Sequence, residues 1–216
     1  NAETDFVAKN DTFKDLLKRI GDVVAASSAK SLEEAFELEM DGKPMEQAIK
    51  EASAKIGEKL TLRRLSVFDK TDAQNFGAYV HMGGKISTLV VTEGGDEATA
   101  RDVAMHVAAI NPRYLNQDEI SEEVIKEERE ILRKEALNEG KPEHIVDKMV
   151  EGRLNKYLQE ICLVNQPFVK NPDQTVKAYA SENGAEILRF ERLEVGEGVE
   201  RKSEDFANEV KAQMKG

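Results

Sequence analysis

Between Asp11 and Ser27 the apolar residues Phe13, Leu16, Leu17, Ile20, Val23 and Val24 recur at spacings of three and four, which predicts an amphipathic helix. Phe6 lies ahead of that stripe and outside it. Ser31 to Met40 predicts a second helix, opened by a Ser-x-x-Glu capping box of Ser31 and Glu34. Pro44 to Ile56 predicts a third, with Pro44 suited to its first turn and Gly57 placed to end it. Leu60 to Phe68 alternates apolar and polar side chains and predicts a half-buried strand. Phe76 to His81 and Lys85 to Thr92 predict two more strands, joined by the hairpin signal Met82-Gly83-Gly84. Asp96 is suited to cap a helix that buries Ala100, Val103, Ala104, Val107 and Ala108 and cannot continue past Pro112.

The pattern changes at Asp118. Asp118 to Asn138 is dense in Glu, Lys and Arg, with a sparse apolar seam at Ile120, Val124 and Ile131; Gly140-Lys141-Pro142 interrupts it. Glu143 to Ile161 resumes with Val150, Leu154, Tyr157 and Ile161. Two antiparallel helices forming a protruding hairpin are expected, each mostly facing water. A helix from Asp173 to Glu182, a strand from Glu186 to Val195 and a last helix from Ser203 to Met214 follow. Ala52-Ser53 with Arg64-Leu65-Ser66-Val67 is echoed by Ala180-Ser181 with Arg192-Leu193-Glu194-Val195, which suggests two related helix-to-strand halves. The expected fold is therefore α+β: two small subdomains of helices on antiparallel sheet, an inserted helical hairpin and a C-terminal module. The expected divisions are 1–68 for the first core subdomain, 69–117 with 164–195 for the second, 118–163 for the hairpin and 196–216 for the module.

Composition narrows the chemistry. Cys162 is the single cysteine, so neither an internal disulfide nor a CxxC site can form. The formal charge of -11 argues against nonspecific nucleic-acid binding, which needs a basic surface. No apolar run approaches the roughly 18 residues of a membrane span, and no signal peptide is visible, so a cytoplasmic protein is expected. The start at Asn1, without methionine, suggests that an N-terminal segment precedes it. Gly83-Gly84-Lys85 is followed by Ile86 where a phosphate-binding loop needs Ser or Thr. Neither direct nucleotide binding nor a cofactor is expected. His106 reads as a packed residue, His144 as solvated, and His81 as a side chain presented at a strand tip.

The remaining candidate is Thr4-Asp5-Phe6-Val7-Ala8-Lys9, one aromatic ring among small and charged neighbours. Such a ring can wedge into a partner, or it can staple back onto Phe13 at the start of the helix. Both readings stand on the residues alone.

Taken with that run, Lys55-Ile56-Gly57-Glu58 followed by Arg63-Arg64, Tyr79 and His81 in the hairpin, Ala104-Met105-His106-Val107-Ala108-Ala109, Met149-Val150-Glu151-Gly152-Arg153, Gln166-Pro167-Phe168-Val169 and Val195-Gly196-Glu197-Gly198 form an ordered set. In order and spacing the set resembles bacterial elongation factor Ts, from Thr4 to Met214. The resemblance implies a nucleotide exchange factor for the GTPase elongation factor Tu, without reaction chemistry of its own. It implies that Asp5, Phe6, Val7 and Ala8 displace the magnesium held by that partner, with the Phe6 ring inserted near its phosphate site. Ile56 and Gly57 match further contacts with the GTPase domain. His81, with Met82 beside it, matches a contact of the second subdomain. The family also carries a small helical domain ahead of this run. A different reading remains: a structural protein, or homodimer, that associates through the charged hairpin. A hydrolase or metal enzyme using His81 with nearby acids is a third.

Overall fold

The computed structural model describes residues 1–197, so the helix expected from Ser203 to Met214 lies outside the described residues. Its first hydrophobic cluster is built almost entirely from helices: α1 (Asp5–Lys9), α2 (Asp11–Ala25), α3 (Leu32–Glu37) and α4 (Met45–Ile56). In α2 the predicted stripe is buried at Phe13, Leu16, Ile20 and Val24, while Leu17 is left half exposed. The capping box forms at α3, with the Ser31 side chain accepting from the Glu34 N–H and the Glu34 carboxylate accepting from the Ser31 N–H.

Two expectations in this half need correction. The helix expected to reach Met40 stops at Glu37, because Asp41 and Gly42 adopt positive φ (58° and 77°) and turn the chain back. This turn pairs β1 (Glu39–Met40) with β2 (Lys43–Pro44), a ribbon of two residues per strand. The strand expected at Leu60 to Phe68 does not form. Its alternation reflects packing instead: Leu60, Leu62, Leu65 and Val67 lie on the first cluster, and no strand among the described residues pairs with them. Gly57 ends α4 as expected, at φ 83°, where its N–H bonds the Ser53 carbonyl.

β3 (Gln74–His81) and β4 (Ile86–Gly94) form the predicted hairpin across a tight turn at Met82–Gly84. Asp96 accepts the Thr99 N–H and starts α5 (Glu97–Ile110), which buries all five predicted residues. The charged segment forms α6 (Glu122–Asn138) and α7 (Glu143–Ile161). Of the expected seam, Ile120, Val150, Leu154 and Ile161 are buried and Val124 and Tyr157 pack against them, but Ile131 is exposed and Leu132 and Ala136 are buried instead, with Val146 and Leu158. Ion pairs Arg129–Glu151, Arg133–Asp147 and Arg153–Glu139 tie the two helices at the surface.

The chain then returns through β5 (Pro167–Phe168) and β6 (Asn171–Thr175), so α8 (Val176–Glu182) begins three residues later than the expected Asp173. β7 (Ala185–Glu194) completes an antiparallel sheet in the order β3-β4-β7. Residues of β4, α5, α8 and β7 share the second cluster with Leu163 and Phe168. Contacts join the two halves: Arg64 Nη2 lies 2.9 Å from Glu197 Oε2, and the Arg189 guanidinium lies 4.1 Å from the centre of the Phe68 ring.

Candidate partner-binding site

α1 explains why Phe6 is presented. Successive residues of a helix are turned by about 100°, so a short helix that packs Val7 inward must hold Phe6 outward. Val7 is 9% exposed and belongs to the first cluster, whereas Phe6 is 88% exposed. That exposure excludes the staple against Phe13. Ala8 packs partly against the same cluster. Of Asp5 the structure describes the backbone alone, at the first position of α1.

The segment is held at its start. Thr4 is the N-cap of α1, its side-chain oxygen accepting from the Val7 N–H at 3.5 Å. The Thr4 hydroxyl donates to Glu58 Oε1 at 2.6 Å and the Thr4 N–H donates to Glu58 Oε2 at 3.0 Å. Beside this clasp the Lys59 N–H donates to Glu3 Oε2 at 3.3 Å and the Thr61 N–H to the Asn1 carbonyl at 3.0 Å. Residues 1–4 are thereby laid along residues 58–61.

This arrangement unites two of the predicted sets. Glu58 follows Ile56 and Gly57 directly, so the clasp brings the end of α4 to the base of α1, 54 residues away in sequence. Ile56 is partly buried on the first cluster and Gly57 is exposed. In the sequence Glu58 stands out only as a member of Lys55-Ile56-Gly57-Glu58; no local pattern assigns it a partner, because its partner comes from a distant segment.

His81 and Met82 lie elsewhere, at the β3–β4 turn on the second half. His81 is exposed and stacks on Tyr79, with ring centres 6.0 Å apart. Met82, at φ 51°, is 64% exposed, and Val80 before it is exposed as well. His144 is exposed, and His106 is fully buried in α5, with burial lowering its pKa. Among the described residues no three His, Cys, Asp or Glu side chains gather as a metal site, and no helix is long and apolar enough to cross a membrane.

The geometry is that of an α+β chain with exposed side chains at two places on its surface, Phe6 on α1 and Val80 to Met82 at the β3–β4 turn. The chain belongs to the elongation factor Ts family, whose family model, described as Elongation factor TS, matches residues 3–197. Membership gives it a role in translation elongation, as the nucleotide exchange factor that interacts with elongation factor Tu. The family is one of exchange factors rather than of enzymes with their own reaction centre.

Proposed function

We propose that α1 acts as a wedge: Phe6 enters the GTPase domain of elongation factor Tu beside its magnesium and phosphate site, and Asp5 and Ala8 complete the contact that dislodges the ion. Val7 serves from beneath, as the anchor that keeps the ring outward. Ile56, Gly57, His81 and Met82 supply further contacts. The observation that carries this reading is the pairing of a nearly fully exposed Phe6 with a buried Val7 next to it.

The mechanism is linkage. Bound GDP and magnesium favour one arrangement of the partner's phosphate site, and a protein that binds the other arrangement better weakens nucleotide affinity by the same coupling free energy. Neither a phosphate loop nor a preference between GDP and GTP is required. The direction of exchange follows from the nucleotide concentrations. The test is dissociation of fluorescent GDP from elongation factor Tu with and without this chain, repeated at rising magnesium. Release accelerated by the chain and slowed again by excess magnesium supports the wedge; release indifferent to the chain ends it.

The hairpin favours a second reading on one observation. Ile131, Leu137 and Ile145 are exposed apolar side chains on α6 and α7. We propose as the second reading that two copies of the chain associate through this arm. Light scattering of the chain and of an Ile131→Glu variant tests it: a dimer that the substitution dissolves supports the arm, and a monomer rejects it.

A further inference from the structure

We propose that Glu58 is a positioning residue for exchange, whose carboxylate sets the angle at which α1 presents Phe6. The proposal rests on the reading of Phe6 as the inserted group.

α1 has five residues, too few to be stable by its own hydrogen bonds, since isolated helices shorter than about 12 residues are marginal in water. Its C-terminal end is fixed, by burial of Val7 and in part Ala8 and by Asn10, which caps α1 and starts α2 with its N–H donated to the Val7 carbonyl at 2.9 Å, so what remains to be set is the N-terminal end. The second point of attachment is Glu58. Its two oxygens take two different donors of Thr4, the hydroxyl at 2.6 Å and the N–H at 3.0 Å, so both the position and the rotation of the cap are set. With its proton committed to Glu58, the Thr4 oxygen keeps a lone pair for the Val7 N–H. The order of control runs from Glu58 to Thr4, to the first turn of α1, and to the ring two residues beyond the cap.

Glu58 is itself held from both sides. Before it, Gly57 closes α4 through the Ser53 carbonyl at 2.9 Å. After it, the Leu60 N–H donates to Ser53 Oγ at 2.8 Å, and Leu60 is buried in the first cluster. The carboxylate therefore projects from a fixed base rather than from a free loop.

A carboxylate accepts from both donors, and both bonds are charge-assisted. Glutamine at this position has the same shape but no charge: its one oxygen can accept the Thr4 N–H while its amide donates to the Thr4 oxygen, which reverses that bond and leaves the hydroxyl proton without the carboxylate. Glu58→Gln thus weakens the clasp without removing volume, and Thr4→Val removes the hydroxyl in the same way. Thr4→Ser keeps it.

The experiment measures stopped-flow release of fluorescent GDP from elongation factor Tu across a range of concentrations of this chain. The variants are Phe6→Ala, Glu58→Gln, Thr4→Val, Thr4→Ser and the double Thr4→Val/Glu58→Gln. A lost hydrogen bond to a charged group corresponds to roughly tenfold, so Glu58→Gln and Thr4→Val each should lower the saturating release rate about tenfold. Thr4→Ser should match the unmodified chain, and the double variant should be no worse than either single. The melting temperature of Glu58→Gln should stay with that of the unmodified chain. Normal release by Glu58→Gln beside impaired release by Phe6→Ala would overturn the positioning role alone. Normal release by Phe6→Ala would instead remove the reading beneath it. Additive losses in the double variant, matched by a falling melting temperature, would make Glu58 a general support of the fold and overturn the proposal.

Discussion

The Nε2 of His106 lies 2.8 Å from Oε1 of Gln166, a buried pair 60 residues apart in sequence. The Val169 N–H approaches His106 Nδ1 at 3.1 Å, and because an N–H can only donate, Nδ1 must be the acceptor. The ring is therefore neutral, with its proton on Nε2 donated to Gln166. The Gln166 amide in turn donates to the Glu160 carbonyl at 2.6 Å, which fixes the orientation of the amide. Each polar atom of the ring is matched, and a second proton would find no acceptor.

Acidification should weaken the stabilisation that this network contributes. Burial holds the His106 pKa below its usual 6.5, against a smaller opposing effect of Gln166. At pH between the two values the unfolded chain binds a proton that the folded chain refuses. Its contribution is therefore complete above pH about 6.5 and is lost as pH falls toward the folded value. Urea unfolding of the chain and of His106→Gln, from pH 7.5 to 5, checks this. The stability difference between them should shrink on acidification, by up to about 1.4 kcal/mol per pH unit. A difference constant with pH would mean that His106 is not buried neutral.

Gly77 on β3 should tolerate no side chain. A Cβ there would lie 2.0 Å from the carbonyl carbon of Ala100 and 2.4 Å from the Arg101 nitrogen, so α5 would have to leave the sheet. The obstruction is backbone and cannot rotate away. Gly77→Ala should cost about 3 kcal/mol or more, at the upper end of overpacking effects. Thermal unfolding near the unmodified midpoint would contradict the observed approach of α5 to β3.

The parts of this fold that could be read in advance are those where one local signal decides the outcome. The stripe of α2, the Ser31 box, the Gly57 stop and the Asp96 cap each act within about one helical turn. The errors occur where local patterns are degenerate. Alternation from Leu60 to Phe68 is shared by a strand and by an extended segment lying on a core, and the absence of a pairing strand among the described residues decides between them. In α6 the spacing of apolar residues admits a seam through Ile131 or through Leu132, and contact with Val146 and Val150 selects Leu132. β1 and β2 are too short to alternate at all. At the candidate site Phe6 stood out by composition, and the resemblance identified Ile56, Gly57, His81 and Met82. The Thr4–Glu58 clasp was beyond reach, since it exists only once residues 54 apart have met.

Tyr179 should titrate late. Its hydroxyl donates to Asp102 Oδ2 at 2.8 Å, its ring stacks on Phe168 at 4.1 Å, and its pKa is pushed up to about 12 by burial and then by Asp102. Lys170 also pairs with Asp102. Since the folded value lies above the unfolded value of 10.0, this contribution is present below pH about 10 and is lost as pH rises toward 12. Ultraviolet titration should show a tyrosine step toward pH 12. Tyr179→Phe should abolish that late step and cost about 1 kcal/mol at neutral pH. A single shared ionisation step would reject the bond to Asp102.

His81→Ala should separate binding from folding. The ring is exposed and touches the body of the protein mainly through Tyr79, so its loss should change stability by no more than about 0.5 kcal/mol. On the proposed function it contacts elongation factor Tu from beside the exposed Met82 and Val80. Titration calorimetry with that protein should show weakened affinity. A large fall in melting temperature with normal binding would mean that the Tyr79 stack is structural.

Phe6→Ala makes the sharpest distinction, because the ring adds almost nothing to its own fold. At 88% exposure it buries little apolar surface, so circular dichroism and the unfolding midpoint should barely move. Its loss should be felt only in the complex, where a buried aromatic anchor removed to alanine costs about 2–4 kcal/mol. At about 1.4 kcal/mol per factor of ten, that range corresponds to GDP release slowed roughly 30- to 1,000-fold at subsaturating concentrations of the chain. The effect should persist in Phe6→Leu to a smaller degree, since leucine keeps apolar bulk without the flat ring. Unaltered GDP release by Phe6→Ala would leave an exposed ring without a task and would move the search for the exchange contact to His81 and the β3–β4 turn.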